Sequence, residues 1–225
     1  MDINTISKNP LFLGLELDEI HAMIPCLGLR THHVAAGSFV VMTGERVREV
    51  GLLVKGEADI IKGDLSGNRV VVKTVEPGEL FGEVYVCANV VDSPVSIQAV
   101  TDCEVLFFNF TRLISCCSNC CVFHAKVVAN LLKIISRKTL ALDQKVEVIS
   151  KRTIREKLSC YLNYEMEKNG AQVFEIPFSR GKLAEYLSVD RSAMSRELSR
   201  MRDEGILEFT RRQFEIIDME RLIKD

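Results

Sequence analysis

Apolar and polar positions change rhythm along the chain. Between residues 6 and 29 the spacing is helical: Asn9-Pro10 opens a short helical piece, and Leu15, Ile20, Met23 and Ile24 supply an apolar face. From residue 30 to 110 short β-rich runs take over, at 38–42, 49–54, 58–62, 70–75, 95–99 and 104–108. Glycine turns separate them, among them Thr43-Gly44-Glu45, Lys55-Gly56-Glu57 and Glu76-Pro77-Gly78-Glu79. Many short strands with such turns predict a β-sandwich or barrel.

After residue 122 the period is helical again. Val128, Leu132, Ile135, Thr139, Leu142, Val146 and Ile149 follow at alternating steps of four and three, a heptad seam with one polar break. Such a narrow stripe suits pairing with the same helix of a second chain; the other reading is a helix lying on its own barrel. Residues 153–168 predict a second amphipathic helix, with Ile154, Leu158, Tyr161 and Leu162 inward and Asn169-Gly170 as its stop. A short strand at 174–176 follows.

The next segment carries the clearest chemistry. Ser179 is placed to cap a helix Arg180–Leu187, with Leu183, Ala184 and Leu187 inward. Ser188-Val189-Asp190 makes a tight turn, and Asp190 caps a second helix, Arg191–Asp203. Met194, Leu198 and Met201 form its inner face, while Arg191, Ser192, Ser195, Arg196, Ser199 and Arg200 face outward. Arginine forks can take guanine O6 and N7, and serines reach base edges or phosphates. Runs at 206–209 and 214–217 then predict a hairpin with Arg211 and Arg212 at its tip, placed for phosphate contact. A helix-turn-helix followed by a hairpin is a winged helix, and Arg180 at its start joins the candidate DNA-binding set.

Composition narrows the classes. A chain of 225 residues accommodates two domains. The net charge is −2, so DNA affinity must come from a local patch rather than from bulk charge. Apolar runs such as Val70-Val71-Val72 are too short to span a bilayer, and the first residues lack a basic stretch followed by an apolar one. A cytoplasmic protein without a membrane partner is therefore expected. Its eight cysteines should then be thiols. Four of them, Cys116, Cys117, Cys120 and Cys121, crowd together just before the long helix. They are candidates for a metal or iron–sulfur cluster, for a thiol redox switch, or for simple packing.

The Pro77–Glu83 turn, the long helix and the run Val189-Asp190-Arg191-Ser192-Ala193-Met194-Ser195-Arg196-Glu197-Leu198 together resemble the CRP/FNR superfamily of bacterial transcription regulators over nearly the whole chain. The resemblance implies an α+β architecture: a jelly-roll sensor domain over residues 1–121, a dimerisation helix over 122–150 and a winged helix-turn-helix over 151–225. It further implies a homodimer on a roughly palindromic duplex, with half-sites about one helical turn (~34–36 Å) apart, and RNA polymerase as a partner. Arg191, Ser195 and Arg196 match the family's recognition-helix pattern, but Ser192 stands where well-known members carry a base-reading Glu. In cyclic-nucleotide-binding members a Glu, here Glu83 after Gly82, caps the ribose, and an Arg pairs the phosphate. That Arg position falls at Asp92-Ser93-Pro94, and no Arg or Lys lies from residue 74 to residue 111. Leu140 and Ala141 stand where those members reach the adenine with polar side chains.

Gly82, Glu83 and Ser93 thus mark a candidate effector pocket for which cyclic AMP is not the expected ligand. The expected protein is a dimeric regulator answering a small molecule, redox or metal signal, and not an enzyme. Two alternatives are a cyclic-nucleotide-responsive regulator of the same fold and a redox- or metal-dependent enzyme whose helix-turn-helix is incidental.

Overall fold

The computed structural model describes residues 6–63, 69–115 and 122–224. The chain divides into two compact units, Met1–Ser136 and Arg137–Asp225.

The first unit contains two four-stranded antiparallel sheets. One has the order β1-β8-β3-β6, from β1 (Arg30–Val34), β3 (Glu49–Lys55), β6 (Leu80–Phe81) and β8 (Cys103–Asn109). The other has the order β2-β7-β4-β5, from β2 (Phe39–Val41), β4 (Ala58–Gly63), β5 (Arg69–Val75) and β7 (Ser96–Ala99). Leu53, Phe81 and Val105 of the first sheet pack with Ala58, Val75 and Ile97 of the second in one buried cluster. The alternate residues Val50, Leu52, Leu106 and Phe108 join a second cluster with α1 (Leu17–Leu27) and the 3-10 turn Pro10–Phe12. Strand β3 is therefore buried on both faces, which explains its unbroken apolar run, Val50 to Leu53. Gly51 is required there: a Cβ would lie 2.1 Å from the Phe81 ring. This sandwich is the expected jelly-roll class.

Four elements of the first unit went unpredicted. Strand β1 carries Arg and two His and is largely exposed, so it lacks an alternating signature. Strand β6 has only two residues. The short helices α2 (Glu83–Cys87) and α3 (Phe110–Ile114) have five each, too few for a visible period.

The long helix α4 spans Val122–Ser150. Its first half lies on the first unit's core: Val127 and Leu131 are buried, and Val128 and Ile135 are packed beside them. Asn130 donates to the carbonyls of Leu11 and Leu13 at 3.1 and 2.9 Å. Val128 and Ile135 thus also pack against their own chain's core. Leu132, Leu142, Val146 and Ile149 remain exposed, Leu142 at 61%.

The second unit holds α5 (Ile154–Asn169), β9 (Val173–Glu175), α6 (Arg180–Leu187), α7 (Arg191–Asp203), β10 (Leu207–Thr210), β11 (Gln213–Ile216) and α8 (Met219–Lys224). Its strands pair antiparallel in the order β10-β11-β9. A capping box between Thr153 and Glu156 opens α5, and Gly170, at φ 65°, closes it. Leu158, Leu162, Leu183, Leu187, Met194, Leu198 and Phe214 share one core.

Candidate nucleic-acid interface

Local signals build the helix pair. The Ser179 hydroxyl accepts from the Lys182 N–H at 3.4 Å, and the Asp190 carboxylate from the Ala193 N–H at 2.8 Å. Between the helices the chain turns through Ser188, at φ 53°. Met194, Leu198 and Met201 are buried, each contributing about 1.5–3 kcal/mol against exposure. This anchoring leaves the opposite face of α7 to solvent. Arg191, Ser192, Ser195, Arg196 and Arg200 are exposed there, and Ser199 is half-buried. Arg200 donates to Glu197 at 2.9 Å, whereas Arg191 and Arg196 make no ion pair among the described residues.

A second network, invisible in the sequence, fixes the angle of α7. Arg155 on α5 donates from Nε to Glu197 at 2.7 Å, and from Nη1 and Nη2 to the two carboxylate oxygens of Glu204 at 2.8 and 2.7 Å. Glu204 forms the C-cap of α7. Arg221 on α8 adds a hydrogen bond to the Glu204 carbonyl at 2.7 Å. The hydrogen bonds to Glu204, ahead of those to Glu197, raise the Arg155 pKa above its ordinary value, and the same contact holds the Glu204 carboxyl below the usual range. No local pattern marks Arg155, because its partners lie 42 and 49 residues away.

The wing forms as expected, with Arg211 and Arg212 exposed at the turn between β10 and β11. Arg211 has φ 49°, the left-handed conformation of a tight hairpin turn. Arg180 departs from the expectation. Its guanidinium stacks over Phe209 and Phe214, 4.6 and 4.8 Å from the ring centroids, and its terminal nitrogens are shielded from solvent. Burial lowers its pKa. It braces the wing on α6 and does not join the exposed basic face.

In the first unit, Gly82 has φ 78° and starts α2, as a turn glycine. Glu83 and Ser93 are both 3% exposed. The Ser93 hydroxyl donates to the Val95 carbonyl at 2.7 Å, and the Ser93 carbonyl accepts from Gly44 N–H at 2.8 Å. Ser93 is thus engaged in its own turn. The cysteines 116, 117, 120 and 121 lie outside the described residues. Among the described residues, no group of three or more His, Cys, Asp or Glu is placed to hold a metal ion. None of the helices described is long and apolar enough to cross a membrane.

Comparison with known proteins agrees with this geometry. Residues 31–120 match the cyclic nucleotide-binding domain family, and residues 156–224 match the Crp-like helix-turn-helix domain family. The chain is 26% identical to the transcriptional activator protein FnrA of Stutzerimonas stutzeri over 130 residues, 56% of this chain and about half (52%) of that protein. It is 23% identical to the cyclic AMP receptor protein of Thermus thermophilus over 203 residues, 88% of each chain. The solved structure of OCPA-complexed CprK shares the fold, with a TM-score of 0.61 and 17% identity over 89% of this chain and 91% of that one. The two domain families in this order, on a jelly-roll and a winged helix joined by α4, place the chain in the CRP/FNR superfamily of DNA-binding transcription regulators.

Proposed function

We propose that this regulator acts as a homodimer on a two-fold DNA site. In each copy α7 enters a major groove with Arg191, Ser192, Ser195, Arg196, Ser199 and Arg200, while Arg211 and Arg212 meet phosphates. The observation that carries this reading is the split of α7 into a fully buried apolar face and an exposed face with two arginines, Arg191 and Arg196, that make no ion pair among the described residues. The dimer reading rests on Leu132, Leu142, Val146 and Ile149, which stay exposed on a heptad repeat. In this division residues 1–121 sense, 122–150 pair and 151–225 bind DNA, with RNA polymerase as the further partner in a cytoplasmic protein. Fluorescence anisotropy with symmetric and scrambled duplexes tests it: preference for the symmetric duplex, with two chains bound, is expected.

The signal in this reading is not cyclic AMP. The cassette around Glu83 lacks the arginine for a phosphate, and the Ser93 hydroxyl is held by Val95. The cysteines 116, 117, 120 and 121 stay the candidates for a redox or metal response. A visible spectrum and metal analysis of anaerobically purified protein, repeated after air exposure, tests them, and titration with cyclic AMP tests the alternative.

A further inference from the structure

The first unit carries an open cavity of about 740 Å³ between the connection from β2 to β3, the exit of α2 and the start of α3. Arg46 and Arg48 line it, and among the described residues no Asp or Glu does. Val90, Phe110 and Ile114 form an apolar part of its wall, and Asn89 a polar one. Both arginines are exposed, and among the described residues neither makes an ion pair. The nearby acids are otherwise placed. Glu49 pairs with Arg30, and the Glu45 carboxylate accepts from the Met42 N–H at 3.0 Å. Asp92 stands across an isolated antiparallel bridge from Arg46 and outside the cavity wall.

Two uncompensated guanidiniums beside an apolar wall have a definite complement. The planar fork of arginine takes carboxylate or phosphate oxygens in pairs, and apolar walls take a hydrocarbon body. We infer that this cavity binds a small amphipathic anion, its carboxylate or phosphate head on Arg46 and Arg48 and its apolar body against Val90, Phe110 and Ile114. The lining excludes Gly82, Glu83 and Ser93, so the site is separate from the cyclic-nucleotide cassette. The positive charge that residues 74 to 111 lack is supplied at this cavity by Arg46 and Arg48. The inference rests on reading this unit as the sensor of a ligand other than a cyclic nucleotide.

Isothermal titration of the full chain with octanoate, octyl phosphate and 1-octanol tests it. One or both anions should saturate a single site per chain, at least about tenfold more tightly than the neutral alcohol. The relative affinity of octanoate and octyl phosphate identifies the head group. Replacing both arginines, Arg46→Gln with Arg48→Gln, should weaken the anion at least about tenfold, while the exposed Lys62→Gln control should bind as the parent does. Equal unfolding midpoints of parent and variants establish that the fold is intact; Arg46→Lys with Arg48→Lys, which keeps the charge, supplies a second comparison if they differ. Octanol binding as tightly as the anions, parent-like binding by the double Gln variant, or no saturation by either anion in the millimolar range would overturn the site. Anion binding that leaves DNA affinity unchanged would keep the site and remove the sensor reading.

Discussion

The guanidinium of Arg155 grips both carboxylate oxygens of Glu204, Nη1 to Oε2 at 2.8 Å and Nη2 to Oε1 at 2.7 Å. This bidentate contact ties α5 to the C-terminal end of α7 and sets the angle at which α7 is presented. Arg155→Met should lower the unfolding midpoint by roughly 5 °C and weaken binding to all duplexes alike. Calorimetry and anisotropy on two unrelated duplexes check this; an unchanged midpoint would show that the contact is dispensable.

Arg196 should behave differently. Arg196→Ala removes an exposed side chain, so the unfolding midpoint should hold while specific binding falls by about 1–3 kcal/mol. The loss should concentrate at one base pair per half-site. An equal loss on unrelated DNA would assign Arg196 to phosphate alone.

Arg180 and the wing arginines separate by salt dependence. Arg211→Ala should reduce the slope of log K against log salt by about one per chain, as should Arg212→Ala. Arg180→Met should leave the slope unchanged and lower stability through the lost contacts with Phe209 and Phe214. A reduced slope for Arg180→Met would mean that its guanidinium leaves the aromatic rings to meet DNA.

Legibility followed the range of the forces involved. Helix α7 appears with the bounds its sequence predicts, because Asp190, the apolar spacing of Met194, Leu198 and Met201, and the Gly205 that follows all act within a few residues. The same holds for α6, whereas the two wing strands form one residue nearer the turn than the runs at 206–209 and 214–217 predict. The setting of Arg180 was not legible because it is made by Phe209 and Phe214, which reach it only after the hairpin closes. Arg155 was missed for the same reason. The first half of α4 kept its heptad rhythm while its Val127 and Leu131 turned to the barrel, since periodicity reports that a face is covered and not by what.

Acid should weaken the second unit in a definite direction. Hydrogen bonds from Arg155 to Glu204, and from the Thr153 N–H to Glu156, hold both carboxyls below the ordinary glutamate value. Each therefore contributes stability that is fully present above the unfolded value, about 4.3, and is lost as pH falls through the folded value. The urea midpoint should drop below about pH 4.3, and Glu204→Gln should flatten that drop. A pH response in Glu204→Gln identical to the parent's would remove the contribution of the Arg155 contact.

The central claim is a symmetric dimer reading DNA through α7. Selection of duplexes from a random pool by the purified chain, with the bound stoichiometry measured on the enriched sequences, addresses it most directly. The account predicts an inverted repeat with half-site centres about one helical turn (~34–36 Å) apart and two chains per duplex, lost when Leu142→Glu and Val146→Glu are combined. Enrichment of no sequence, or of an asymmetric site bound by one chain, would contradict it.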